Sequence, residues 1–239
     1  MIKSIGKFIN PQKRQNLRSL IVNFFHPVFR FTLSQLADLY GTDKNYKHHY
    51  TVHYDIFFSK IRKDKVSLLE IGIGGYDNPS LGGASLRMWK KYFQKGKIYG
   101  IDIHDKSKVN EKRLATFQCN QTDENMLKNI ISKIGEINII IDDGSHKNED
   151  VIKSFNILFP LLAKDGFYVI EDVHTSYRNG YGGDAEDIEN KNTTMNYFKK
   201  ITDYTNQKYF DKSLLRGRNK NVRGVTSIYF SPGLIIIKK

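Results

Sequence analysis

The sequence predicts an α/β protein with a mostly parallel sheet, a helical N-terminal extension and a C-terminal β-hairpin. Three observations lead there. From Val66 onward, short apolar runs alternate with amphipathic stretches, the pattern of successive β-α-β units. One of these runs, residues 137–142, carries Ile139-Ile140-Ile141, as expected of a strand buried on both faces. Glycines end the first run and a carboxylate ends the second, the arrangement by which a Rossmann-like fold holds a nucleoside.

Along the chain, Leu17, Leu20, Ile21, Phe24 and Phe25 recur at helical spacing beside Lys13, Arg14 and Arg18. This predicts a basic amphipathic helix packed on its own domain or on a second subunit of a homo-oligomer, with a membrane-surface contact as the alternative. Asn10-Pro11 and the charges interrupt it, so it is neither a signal peptide nor a membrane span. Residues 32–40 read as a short helix with a Ser or Thr cap, closed by Gly41. Residues 46–54 then gather His48, His49 and His53 among tyrosines; no Glu or Cys pattern accompanies them, so metal binding is not expected there.

The α/β part follows as strand 66–73, helix 85–93, strand 97–103, strand 115–119, helix 126–134, strand 137–142 and helix 151–163. A turn at Asp165-Gly166, strand 167–170, helix 192–204 and a hairpin of 225–230 with 234–237 complete it. The expected division is a basic helical extension and cap over residues 1–60 and the α/β domain over 61–239.

A length of 239 residues suits one sizeable α/β domain, and an apolar share of 39% with 26% charged residues suits a globular protein with an ordinary polar surface. Cys119, the single cysteine, cannot form an internal disulfide and reads as a small buried hydrophobe, consistent with a cytoplasmic protein. The net charge of +13 attracts anionic partners. No acidic residue precedes Asp38 or follows Asp211, so the excess gathers at the two ends. An RNA-binding or RNA-modifying protein would instead organise a basic face with stacking aromatics, so no nucleic acid partner is expected.

Chemistry concentrates where strands end. Glu70-Ile71-Gly72-Ile73-Gly74-Gly75 lets the backbone turn tightly against a ligand, and Asp102 ends the next strand, where it can hold both ribose hydroxyls. Asn120-Gln121-Thr122-Asp123 lies where an adenine edge can be read. The same spacing fits a nicotinamide-dependent oxidoreductase, which would leave two later acidic pairs unemployed. Those pairs are Asp142-Asp143, followed by Gly144-Ser145-His146, and Glu171-Asp172. Carboxylates from adjacent strands suit a hard cation such as Mg²⁺, although Asp143 and Asp172 also read as helix caps. His146 is the expected general base. The tyrosine- and glycine-rich residues 174–184 lie beside this site, placed to close over an acceptor.

Glu70–Tyr76, Gly82–Trp89, Tyr99–Ile103, Ile141–His146 and Val169–Asp172, together with Tyr40-Gly41-Thr42-Asp43-Lys44, resemble the metal-dependent macrolide-sugar O-methyltransferases of the mycinamicin type over residues 33–184. The resemblance implies a class I methyltransferase fold, S-adenosylmethionine as cofactor, and Mg²⁺ or Mn²⁺ held by Asp143, Glu171 and Asp172. It implies a cofactor-binding set of Glu70, Gly72, Gly74, Asp102, Gln121 and Asp142, with His146 as base. The acceptor expected is a sugar hydroxyl, on a natural product or surface polysaccharide, and the basic charge suggests an anionic or phosphorylated one.

Overall fold

Strands alternate side chains between two faces, so a strand covered on both sides must be apolar at consecutive positions. The computed structural model, which describes residues 31–211 and 219–239 together with Leu17, Leu20 and Ser213, shows this in β4, Ile137–Asp142. Its Ile139 and Ile141 pack on one face of the sheet and Ile140 on the other, all fully buried. The other strands are β1 Ser67–Ile71, β2 Lys97–Asp102, β3 Leu114–Gln118, β5 Leu162–Ile170, β6 Ser227–Ser231 and β7 Leu234–Lys238. They form one sheet in the order β3-β2-β1-β4-β5-β7-β6. The first five are parallel, and the hairpin β6-β7 adds antiparallel to β5. The chain moves outward from β1 through β2 to β3, then returns to β4 on the opposite side of β1. Strand order therefore reverses between β1 and β4, and a crevice opens beyond their carboxyl ends.

On the first face lie α1 Leu33–Tyr40, α2 Tyr50–Phe58 and α3 Ala84–Tyr92. Thr32 caps α1 through its hydroxyl, which accepts from the Gln35 amide, while the Gln35 side chain accepts from the Thr32 amide; Gly41 closes the helix in the left-handed conformation. Leu36, Tyr54, Phe58 and Trp89 pack there against Leu68, Ile98 and Val169. On the second face, α4 Glu124–Ile134, α5 Asn148–Leu158 and α6 Thr194–Lys200 set Leu127, Phe155 and Phe198 against Ile71, Ile101 and Tyr168.

The described part of the expected extension, residues 31–60, is thus continuous with the core through Leu33, Tyr54 and Phe58. The amphipathic helix expected near residues 17–25 lies outside the described residues apart from Leu17 and Leu20, both exposed. Two boundaries move. The helix expected over 151–163 ends at Leu158, because Pro160 has no amide to continue it, and Leu162 already begins β5. Asp165-Gly166, expected as a turn, is a bulge inside β5: Ile137 pairs with Leu162, Ile139 pairs with Phe167, and Asp165 has φ 61°. The helix expected over 192–204 likewise gives α6 and then a 3-10 segment, Ile201–Tyr209. Cys119 is buried, and burial, with Asp123 adding to it, pushes its thiol up to about 11, which suits an inert hydrophobe. No helix among the described residues is long and apolar enough to cross a membrane.

Phe58 is fully buried between α2 and the sheet. Phe58→Ala should cost ~3–5 kcal/mol. Urea unfolding followed by near- and far-ultraviolet circular dichroism should show one shifted transition; a separate early transition would mean that residues 31–60 fold apart from the sheet.

Candidate active site

Beyond the ends of β1, β2 and β4 lies a cleft of about 860 Å³. Gly72, Gly74, Asp102, Gln121, Asp143, His146 and Asp172 are among the residues that line it. The β1 loop must pass close to the β4 loop: a Cβ on Gly72, which has φ 87°, would lie 2.1 Å from the carbonyl oxygen of Asp143. Gly74 shares the left-handed backbone, at φ 73°, but faces open space. Asp102 ends β2 with both oxygens engaged, one accepting from the Ile73 amide at 2.9 Å and the other from the His104 amide at 2.9 Å. These bonds hold its carboxylate at the lip of the cleft. Gln121 fastens β3 to the β4 loop, its Oε1 accepting from the Ser145 amide at 2.8 Å and its Nε2 lying 3.3 Å from Asp142.

Two residues of the expected cofactor set lie beneath the cleft instead. Asp142 shares the face of Ile140, so its carboxylate points toward α5 and accepts from Ser154 at 2.5 Å. Burial pushes that carboxyl up to about 6, against the pull of the Ser154 hydrogen bond. Glu70 points to the opposite face and is fully buried, 3.1 Å from Lys44 Nζ.

Asp143 and Asp172 come together in the cleft, each within reach of His146. One donor atom from each lies within 4.8 Å of the others, a spacing that can hold a metal ion. His146 Nε2 is 3.9 Å from Asp143 Oδ1 and 3.7 Å from Asp172 Oδ2. His146 and Asp172 both sit at positive φ, 56° and 52°, a conformation other than that of a helix or strand, which aims both side chains back at the cleft. Neither aspartate caps a helix: Lys147 occupies the cap position of α5, and Asp172 makes no cap bond to the 3-10 turn that follows it. Glu171, expected as the third metal ligand, is buried and directs Oε1 to Lys44 Nζ at 2.6 Å and to the Tyr54 hydroxyl. His146, expected as the base, therefore stands at the third corner of the donor cluster.

Lys44, Tyr50, Tyr54 and His48 complete the site, and residue-type reasoning assigned none of them a role. Lys44 Nζ is buried among Asp143 Oδ2 at 2.8 Å, Glu171 and Glu70. Burial acts to lower its pKa, but the three carboxylates outweigh it and hold the ammonium well above the usual lysine range. Burial raises the Glu70 and Glu171 carboxyls; at Asp172 burial is outweighed by the Tyr50 hydrogen bond and by His146, His48 and His174, which keep it ionised. The one sequence signal for these residues is the Tyr40–Lys44 motif, in which a lysine reads as surface. Among the other histidines, His49 is exposed and His53 bonds the Tyr229 hydroxyl at 2.8 Å. The loop over 174–184 is stitched down by Asn148, whose Nδ2 donates to the carbonyls of Thr175 and Tyr181; Tyr177 and Tyr181 are exposed, and none of the loop lines the cleft.

No protein-family model matches the chain. It is 40% identical over 207 residues to the 8-demethyl-8-alpha-L-rhamnosyl tetracenomycin-C 2'-O-methyltransferase of Streptomyces olivaceus, covering 87% of this chain and 54% of that protein. It is 46% identical over 172 residues to the mycinamicin VI 2''-O-methyltransferase of Micromonospora griseorubida, covering 72% of this chain and 43% of that one. Among solved structures, MycE methyltransferase from the mycinamycin biosynthetic pathway, in complex with Mg and SAH, superposes with a TM-score of 0.84 at 34% identity, over 99% of this chain and 62% of that one. The chain has the class I methyltransferase fold and is a homologue of these O-methyltransferases. It spans about half the length of the curated relatives it matches. Within the class I fold, the glycine loop, Asp102 and one member of each acidic pair, Asp143 and Asp172, line one crevice.

The two cleft glycines separate backbone strain from collision. Gly74→Ala should cost ~1–2 kcal/mol, the strain of left-handed backbone alone. Gly72→Ala adds a collision with the Asp143 carbonyl and should lower the thermal midpoint several degrees further. Equal midpoints for the two variants would contradict the close approach of these loops.

Proposed function

We propose that this chain is an S-adenosylmethionine- and divalent-metal-dependent O-methyltransferase acting on a sugar hydroxyl. The observation that carries it is the grouping of Asp143, His146 and Asp172 in the same cleft as Gly72, Gly74 and Asp102. Oxygen-rich donor sets suit Mg²⁺ and Mn²⁺, so the two aspartates are the natural ligands and the imidazole is left for proton transfer. When bound, the cofactor supplies an electrophilic methyl group and the metal a positive charge that favours loss of the hydroxyl proton.

The chain's own residues do the rest. Asp102 holds the ribose hydroxyls, the glycines let the cofactor approach the backbone, and Gln121 fixes the wall beside the nucleoside. His146 Nε2 takes the acceptor proton. Lys47 and Lys147 on the rim, with the net charge of +13, favour an anionic or phosphate-bearing sugar, and a surface polysaccharide or natural-product glycoside both present such hydroxyls. Assembly as a homo-oligomer, and a membrane-surface contact of the basic N-terminal residues, belong to the same reading.

Mass spectrometry of sugar extracts incubated with enzyme and S-adenosylmethionine should show a methyl gain that EDTA abolishes; full turnover in excess EDTA would sink the metal-dependent reading. Asp102→Ala should weaken S-adenosylhomocysteine binding by ~1.5–3 kcal/mol in calorimetry, as charge-assisted hydrogen bonds are lost. His146→Ala should keep cofactor affinity and lose roughly 10²–10⁴-fold in rate, with no rescue by added Mg²⁺. Near-normal turnover of that variant would remove His146 as base.

A further inference from the structure

Each carboxylate of the proposed cation site has one oxygen already taken. Asp143 gives Oδ2 to Lys44 Nζ at 2.8 Å and turns Oδ1 toward His146 Nε2. Asp172 accepts from the Tyr50 hydroxyl through Oδ1 at 2.8 Å and turns Oδ2 toward the same nitrogen. The two arrangements match, although one partner is an ammonium and the other a phenol. Both partners come from the segment that precedes the sheet.

We propose that Lys44 and Tyr50 are positioning residues for the cation site, each occupying one carboxylate oxygen so that the other is presented to the metal. The inference rests on the reading that Asp143 and Asp172 hold a divalent cation. A carboxylate rotating freely at a loop end must be ordered when it binds, whereas one whose outer oxygen is already bonded presents the inner one in place. Lys44 is itself immobilised, with Glu171 Oε1 at 2.6 Å and Glu70 Oε1 at 3.1 Å on its other sides. Tyr50 is held by the hairpin turn, where its hydroxyl lies 3.0 Å from the Gly233 carbonyl oxygen, and by His48, whose ring stacks on it at 5.0 Å. A Cβ on Gly233 would come within 2.6 Å of that hydroxyl, so the turn is shaped to fit it. If Lys44 served only to neutralise buried acids, Glu70 and Glu171 would suffice; its third contact is the cleft carboxylate, with a side chain 26% exposed.

Mn²⁺ binding, followed by electron paramagnetic resonance of the free ion and by calorimetry, tests this without reliance on turnover. Tyr50→Phe removes one hydroxyl and disturbs no ion pair; it should raise the Mn²⁺ dissociation constant roughly 10–100-fold, the usual effect of losing a group that orients a metal ligand, with S-adenosylhomocysteine affinity unchanged. Lys44→Met should act in the same direction where it folds. Tyr229→Phe, which loses the hydroxyl bonded to His53 on the same helix as Tyr50, should bind Mn²⁺ normally. Normal Mn²⁺ affinity in Tyr50→Phe, beside weakened affinity in Asp143→Asn, would overturn the positioning role and leave the metal site standing. Normal affinity in Asp143→Asn would overturn the metal site and this inference with it.

Discussion

The ammonium of Lys44, closed in by Glu70, Asp143 and Glu171, is the contact on which the site depends. Its three partners stand at the ends of β1 and β4, which flank the point where sheet order reverses, and of the adjacent β5. Three carboxylates at such a point would repel one another in a medium that screens poorly. One buried cation turns that repulsion into a clamp. It also accounts for the burial of α1 and α2 in the same core as the sheet, since the loop between them delivers the lysine. Losing one partner of such a network leaves uncompensated buried charge, a loss of about 3–5 kcal/mol in comparable pairs.

Around this clamp the crevice divides by chemistry. Toward β1 and β2 the lining is glycine backbone and a carboxylate held by two amides, a surface shaped for a nucleoside. Toward β4 and β5 it is Asp143, His146 and Asp172, with the Tyr50 hydroxyl buried behind Asp172, a lining that suits the proposed cation. Gly72 sits on the boundary, where the β1 loop and the β4 loop touch. Strand ends carry both halves, which is the arrangement the proposed reaction needs to bring its two partners together at a fixed geometry.

The C-terminal hairpin has a part in this beyond extending the sheet. β7 runs along β5, and its turn brings Gly233 against Tyr50 while the Val173 amide donates to the Gly233 carbonyl at 3.1 Å. Asp172 is thereby braced from three directions: by β5 before it, by the turn beside it, and by Tyr50 at the start of α2. The left-handed backbone at Asp172 is tolerated because those contacts over-determine it.

Local pattern was enough to read the strands and to place the glycine loop, Asp102, Asp143, His146 and Asp172 at the strand ends that line the cleft, because short apolar runs and the carboxylates that follow them are encoded within a few residues of each other. The hairpin, and a Ser or Thr cap at the start of α1, were legible for the same reason; the structure assigns the cap to Thr32. The bulge at Asp165-Gly166 was not, since a turn and a bulge use the same residues and differ only in what pairs across them. Asp142 and Glu171 show the finer limit. Whether a strand-end acid faces the cleft or the interior depends on which face its strand presents and what packs there. Ser154 lies 12 positions from Asp142, and Tyr54 and Lys44 lie 117 and 127 positions from Glu171. Neighbouring residues alone thus set the fold class and the chemical types gathered at the crevice. Which carboxylates line the cleft and which are buried beneath it was settled only in the folded chain, because that choice is made by contacts between residues remote in the sequence.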